Sequence, residues 1–313
     1  MDLNSPACVP QYLMRVKFPG FEDAAAAAPL PPPTVETLTA LHRGHTLHIS
    51  FENLSLSHPK LKAPVPNDIE SLWDKLVLRR RGGWCYEMNG VLHHVLRLLG
   101  YDCWDGVGHV VTAGSLQQRP PPAGGVPTFR DPGSTIDVRG LHRIVMMRID
   151  GDIWLADVGF GGQGLLEPVQ VRAYDDGGKE WAQAGTRYRL RRGVMGSAEL
   201  LPAAMADTHP EAASHVGWYL QVLLKGTWAD VYFFTTEAAI ATEFEAFAHY
   251  TASFHPMFSK QMLAAKPTDT GRFTLLDMTL KERRGDASEA RQLASAEERD
   301  EVLREVFGLD IPK

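Results

Sequence analysis

Cys85 follows Gly82-Gly83-Trp84 at the point where a helical pattern of apolar residues begins. A helix N-terminus offers free backbone N–H groups and a positive partial charge, which suit a nucleophilic sulfur. The two glycines would let the backbone approach a ligand closely. His142 and Asp157 join this residue through hairpin geometry. If Asp150-Gly151 forms a two-residue type I′ turn, Ile149 faces Asp152. Carried onward, that register sets Asp157 opposite Ile144, with His142 two residues along on the same face. Such diagonal neighbours have Cβ atoms about 7 Å apart or less, within reach of a carboxylate–imidazole hydrogen bond. A turn at Gly151-Asp152 would separate them by two further residues. Asp157 also sits among Trp154, Leu155, Ala156, Val158 and Phe160, where an ionised carboxylate needs a partner. Cysteine, histidine and aspartate together supply a nucleophile, its base and a group that fixes the base's tautomer. The plainer alternative is a packed structural cysteine, a strand-edge histidine and a solvent-facing aspartate, and linear order alone does not bring Cys85 to the hairpin.

The elements that must position these residues follow from periodicity. Val35, Leu38 and Leu41 recur at helical spacing with Thr34 as N-cap, and Asn67 or Asp68 caps a second helix carrying Ile69, Leu72, Trp73 and Leu76. A third helix runs from Cys85 with Met88, Val91, Leu92, Val95, Leu96 and Leu99 inward, stopping at Gly100. Strands are expected at 108–112, 142–149, 153–158, 188–191, 218–224, 228–234 and 272–279, with hairpin turns at Asp150-Gly151 and Lys225-Gly226. A charged amphipathic helix spans Ser295 to Phe307. The order implies a helical bundle, then an antiparallel β barrel or sandwich, then a mixed C-terminal region. Residues 21–33, with consecutive alanines and a proline cluster, read as a surface connection. Residues 113–135, rich in Pro, Gly, Ser and Gln, read as a flap or insertion, and 174–185 as an exposed connection.

Composition narrows the class. A chain of 313 residues with 44% hydrophobic and 22% charged residues is globular in character. A net charge of −6 argues against nucleic acid as a partner. Apolar runs are too short to span a bilayer, and residues 1–20 lack the pattern of a secretory signal, so a cytoplasmic location is the expectation. Three cysteines suit a reducing compartment. No CxxC or HExxH motif announces a metal. His42, His45, His48, His58, His93 and His94 are scattered through the helical part and read as surface or packing residues.

Arg81-Gly82-Gly83-Trp84-Cys85-Tyr86-Glu87-Met88-Asn89-Gly90 closely resembles the RGGxCxExN nucleophile segment of the arylamine N-acetyltransferase family, including its fungal-type members. Phe51-Glu52-Asn53-Leu54 resembles the upstream FENL motif of that family. Leu155-Ala156-Asp157-Val158-Gly159-Phe160-Gly161 resembles its aspartate motif, with His142 at the expected distance before it. Arg272-Phe273-Thr274-Leu275 is similar to its C-terminal region. The resemblance implies an α+β fold: an N-terminal helical bundle (1–100), a central antiparallel β barrel (101–215) and a C-terminal α/β lid (216–313), around a papain-like Cys-His-Asp core. It implies a ping-pong cycle in which acetyl-CoA, a co-substrate rather than a bound cofactor, acylates Cys85. His142 then serves as base, Asp157 orients it, and the acyl group passes to an arylamine, arylhydroxylamine or hydrazine. Phe160 and Leu141 are candidates for the acceptor pocket, and Gly159, Gly161 and Gly162 for the coenzyme A approach. Glu52 and Arg81 are implied to form a buried structural ion pair beside the cysteine.

Two departures from the family pattern stand out. The interval between Cys85 and His142 is long, with the excess assigned to 113–135, and His255-Pro256-Met257-Phe258 matches the coenzyme-contacting segment loosely. A malonyl-CoA-dependent transferase is an alternative. Its donor carboxylate would need a cation, and Arg139 and Arg143 flank His142, although strand alternation points both to the opposite face unless the strand begins with a bulge. A Cys-His-Asp hydrolase or transglutaminase-like enzyme would share the same residues.

Overall fold

The computed structural model describes residues 2–22, 28–65, 68–112, 135–172, 180–195, 215–285 and 287–312. The N-terminal part is helical: α1 (Val9–Arg15), α2 (Val35–His48), α3 (Leu54–Ser57), α4 (Ile69–Trp73) and α5 (Cys85–Leu98), with a short strand β1 (Phe51–Glu52) between α2 and α3. The expected caps are present. Thr34 accepts from the Thr37 N–H at 3.3 Å and Asp68 from the Ser71 N–H at 2.8 Å, each satisfying an otherwise orphaned donor. After α4 the chain continues as a π-helical turn, Asp74–Leu78, and both Lys75 and Leu76 are buried. Gly100 adopts a left-handed φ of 89° just past α5, the stop expected there.

Twelve further strands follow: β2 (Asp102–Thr112), β3 (Thr135–Ile149), β4 (Asp152–Ala156), β5 (Val169–Val171), β6 (Glu180–Gln183), β7 (Thr186–Met195), β8 (His215–Leu224), β9 (Thr227–Phe234), β10 (Leu263–Pro267), β11 (Gly271–Leu276), β12 (Thr279–Arg284) and β13 (Ala287–Gln292). Helices α6 (Ala241–Phe254) and α7 (Pro256–Lys260) lie between β9 and β10, and α8 (Ala296–Glu305), capped by Ser295, ends the fold. Eight strands form one antiparallel sheet in the order β5-β4-β3-β2-β9-β8-β7-β6. Among the described residues no ladder joins β5 to β6, so this sheet is open rather than the closed barrel anticipated. The other sheet, β1-β10-β11-β12-β13, takes its edge strand from the helical region. Strands β8 and β9, assigned from sequence to the third segment, hydrogen-bond into the eight-stranded sheet, so a boundary at 215/216 falls within that sheet.

Both faces of β3 are covered. Val145 and Met147 pack with the helices, while Ile144 and Met146 pack with Leu155, Tyr188, Leu220 and Tyr232 on the other side. Double burial explains the continuous apolar stretch Ile144–Met147 within this strand. The expected strand at 272–279 is instead a hairpin, broken at Asp277, whose φ is 52°. Within 174–185 the described part contains β6 and a tight turn at Ala184-Gly185, both with positive φ. The 113–135 segment, apart from Thr135 at the start of β3, and residues 23–27 of the 21–33 connection lie outside the described residues. No described helix is long and apolar enough to cross a membrane, and no described group of three His, Cys, Asp or Glu side chains gathers as for a metal.

Candidate active site

Cys85 is the first residue of α5 and is 6% exposed. The preceding glycines are required by close contacts within the fold. A Cβ on Gly82 would lie 2.1 Å from the Ser50 carbonyl oxygen, and one on Gly83 would lie 2.7 Å from Glu87 Oε2. This close crossing pairs Gly83 with Phe51 in a parallel bridge and lets the Glu52 N–H donate to the Gly83 carbonyl at 2.8 Å. Two buried ion pairs hold the crossing. Arg81 donates to Glu52 Oε1 through Nη2 at 2.7 Å and Nε at 3.2 Å, as the motif implied. Sequence reasoning missed the second, in which Lys75 Nζ donates to Glu87 at 2.7 and 2.8 Å. Glu87 also accepts from the Trp84 N–H at 3.1 Å, capping the helix that carries Cys85. Burial resists the charge on Glu52, but Lys75 and Arg81 outweigh it and hold this carboxyl below the usual range.

The hairpin has the register derived from sequence. Asp150 and Gly151 both have positive φ, Ile149 pairs with Asp152, and Val145 pairs with Ala156. Asp157 then reaches His142, with Nε2 and Oδ2 2.8 Å apart. The remaining capacity of the carboxylate is filled. Tyr232 donates to Oδ2 at 3.0 Å, while Asn89 Nδ2 and the Gly159 N–H donate to Oδ1, each at 3.0 Å. Burial works against ionising Asp157, yet the His142 charge and these hydrogen bonds hold its carboxyl below the ordinary range. For His142 burial favours the neutral ring, but the charge and hydrogen bond of Asp157, then those of Cys85, push it well above its usual value. Since Nε2 faces Asp157, Nδ1 is the nitrogen left for Cys85. What brings the helix to the hairpin is Gly159, where a Cβ would sit 2.7 Å from Cys85 Cα.

The other expected residues divide. Phe160 stands edge-on to the His142 ring, with centroids 5.0 Å apart at 90°. Leu141 offers its carbonyl to the Tyr86 hydroxyl at 2.6 Å. Gly161 packs against the Phe51 ring and borders a cavity of about 10 Å³ that includes no triad residue, and the Gly162 carbonyl accepts from Arg272. Of these four, Phe160 is the one whose side chain meets the His142 ring, while the Leu141 carbonyl, Gly161 and the Gly162 carbonyl meet Tyr86, Phe51 and Arg272. Arg143 is committed elsewhere. It binds Asp105 through Nε at 2.8 Å and Nη2 at 2.7 Å and lies over the Phe244 ring. The side chain of Arg139 lies outside the described residues. Of the histidines, His42, His45 and His58 are fully buried with hydrogen-bond partners, not at the surface. Asn89, within the nucleophile motif, bonds to Asp157 and to the Val158 N–H, a role its motif position does not announce. Tyr232 lies within the continuous buried run Val231–Phe234 of β9, where nothing in the sequence marks its hydroxyl as a partner for Asp157.

Comparison with known proteins agrees with this architecture. The family model described as N-acetyltransferase matches residues 34–123 and 128–313, leaving its gap inside the long 113–135 interval. An arylamine N-acetyltransferase of Mycolicibacterium smegmatis is 31% identical over 286 residues, 90% of this chain and 87% of that protein. An N-malonyltransferase of Gibberella moniliformis is 28% identical, covering 88% of this chain and 77% of its own length. The solved structure of Mycobacterium marinum arylamine N-acetyltransferase in complex with CoA superposes with a TM-score of 0.70 at 27% identity, covering 96% of this chain and 92% of that one. A match over nearly the whole length, in sequence and in fold alike, places this chain in the arylamine N-acetyltransferase family.

Proposed function

We propose that the chain transfers an acetyl group from acetyl-CoA to an arylamine through a thioester on Cys85, with His142 as the proton carrier and Asp157 as its orienting carboxylate. One observation carries the reading: Asp157 is bound to His142 Nε2 at 2.8 Å, which leaves Nδ1 to Cys85 at the start of α5. A charged imidazole and a charged sulfur stabilise one another in this buried setting. In the first half-reaction Cys85 Sγ attacks the thioester carbonyl, the bond from that carbon to the coenzyme A sulfur breaks, and the departing thiolate takes the His142 proton. In the second, the amine nitrogen attacks the Cys85 thioester, His142 Nδ1 accepts the amine proton, and the Cys85 C–S bond breaks. Asp157 keeps the ring in the required tautomer and stabilises its protonated form. Asn89 and Tyr232 position Asp157. The Phe160 ring beside His142 offers an apolar wall for an aromatic acceptor. Arg143 spends its donors on Asp105, which favours the acetyl over the malonyl donor.

Mass spectrometry after a single turnover with acetyl-CoA and no amine tests the reading. One acetyl group is expected on the peptide containing Cys85 and none on Cys8 or Cys103, and Cys85→Ala should carry no label. Label on Cys103 with Cys85 bare would overturn it.

A further inference from the structure

Asp157 lies one residue beyond the end of β4. The pair Val145–Ala156 closes the ladder with β3, so the N–H groups of residues 157, 158 and 159 have left the sheet. Buried N–H groups require acceptors, and each of these finds a side chain. The Val158 N–H donates to Asn89 Oδ1 at 3.0 Å, the Gly159 N–H to Asp157 Oδ1 at 3.0 Å, and the Asp157 N–H to His42 Nε2 at 3.0 Å. His42 belongs to α2 and is fully buried. Accepting through Nε2 requires a lone pair there, so the ring is neutral with its proton on Nδ1. Burial acts in the same direction. It lowers His42 to about 4, against smaller upward contributions from the Leu166 backbone and Asp157.

We infer that His42 is a positioning residue whose neutral imidazole replaces the sheet partner Asp157 has lost, fixing the backbone that aims the Asp157 carboxylate at His142. The inference rests on the triad reading above. Few side chains could do this. A carboxylate would set a second negative charge beside Asp157, and lysine or arginine offers only donors. Glutamine alone presents a neutral acceptor at comparable reach. His45, three residues further along the same helix, is equally buried but bonds to the Tyr12 hydroxyl at 2.7 Å, so it serves as the control.

The test compares wild type, His42→Leu, His42→Gln, His45→Leu and Asp157→Asn in acetyl transfer, thermal melting and NMR titration of His142. His42→Leu should lower kcat about tenfold or more, with KM for acetyl-CoA changed less than about twofold, and should move the His142 titration downward as Asp157 loosens. His42→Gln should recover most of the rate, and His45→Leu should lose thermal stability without these effects. A folded His42→Leu with wild-type kcat overturns the inference, as does a His42→Gln no faster than His42→Leu, or an equal slowing in His45→Leu. If His42→Leu does not fold, the ¹⁵N spectrum of wild-type His42 decides: a proton on Nδ1 upholds the inference and a proton on Nε2 overturns it. Asp157→Asn keeps the two readings apart. Wild-type turnover there removes the triad itself, whereas an inactive Asp157→Asn beside a fully active His42→Leu removes only the role of His42.

Discussion

Gly159→Ala isolates the contact that brings helix and hairpin together. Gly159 does not occupy the left-handed region, so alanine there meets no backbone penalty and the effect is steric. The new Cβ would lie 2.7 Å from Cys85 Cα, 2.9 Å from Asn89 Nδ2 and 3.3 Å from the Cys85 carbonyl oxygen, where ordinary contact begins at 3.4 Å. Two of the three atoms are Cys85 backbone, which cannot swing aside, so the loop and the start of α5 must separate by 0.7 Å to restore ordinary contact. Overpacking of this kind costs about 1–3 kcal/mol of stability. A displacement near 1 Å within a reacting constellation costs about a hundredfold in rate. We therefore expect a folded protein that melts several degrees lower and acetylates Cys85 about a hundredfold more slowly in rapid-quench mass spectrometry. The loss should appear in the rate at saturating acetyl-CoA rather than in KM. An acetylation rate within about threefold of wild type would refute the claim that this spacing sets the chemistry.

Asp157→Asn should keep its hydrogen-bonded surroundings yet lower kcat by about 10⁴, because the charge is lost and the wrong imidazole tautomer becomes accessible; near-wild-type turnover in a folded variant excludes the triad as drawn. Glu52→Ala leaves Arg81 buried without its carboxylate and should cost about 3–5 kcal/mol in denaturant unfolding. Because the Glu52 carboxyl is depressed in the folded state, its contribution is complete above the unfolded carboxylate range and fades as pH falls through the lower folded value. The gap between wild type and Glu52→Ala should therefore narrow in acid. If Glu52→Ala and Arg81→Ala both melt like wild type but lose turnover, the pair belongs to the chemistry instead. Coenzyme A release with an arylamine should give a higher kcat/KM for acetyl-CoA than for malonyl-CoA; the reverse order, lowered by Arg139→Ala, would name Arg139 as the carboxylate's partner.

The His142–Asp157 pair was legible because two local rules reach far. An Asp-Gly turn fixes a register, and a register fixes which side chains oppose, so His142 and Asp157 followed from Asp150-Gly151 alone. Cys85 was recognisable from its helix start and motif, but its approach to the hairpin depends on Gly159 meeting the Cys85 backbone across the fold, which no local period encodes. The glycines before Cys85 were only half legible for a related reason. A glycine announces a close approach without saying to what, and here the neighbours are Ser50 and Glu87. Helix α6 escaped notice although Phe244, Ala248 and Thr251 recur at helical spacing, because its exposed face carries Tyr250 and Phe254 and blurs the contrast. Lys75 carries no sequence signature of burial, and it lies in the π-helical turn with its ammonium on Glu87. Asp277 carries no glycine beside it, so the turn that splits 272–279 had no signature.

The strand that sets Glu52 beside the nucleophile pairs with residues made long after it. Phe51 and Glu52 find their partners in Ala265 and Ala264, Asn53 is held by the carbonyls of Phe258 and Gln261, and Ser50 donates to the Phe307 carbonyl at 2.6 Å. Cys85, His142 and Asp157 have all been synthesised once Asp157 is added, but the segment from there to Ala265 takes roughly 5–20 s more at about 5–20 residues per second. Such distant pairings also form slowly, since the loop they close must be ordered first. A nascent or truncated chain can thus hold Cys85, His142 and Asp157 while the backbone behind the cysteine is still unfastened. The last sheet to be synthesised is what completes the scaffold, and a premature stop before β10 removes it however complete the triad looks in sequence.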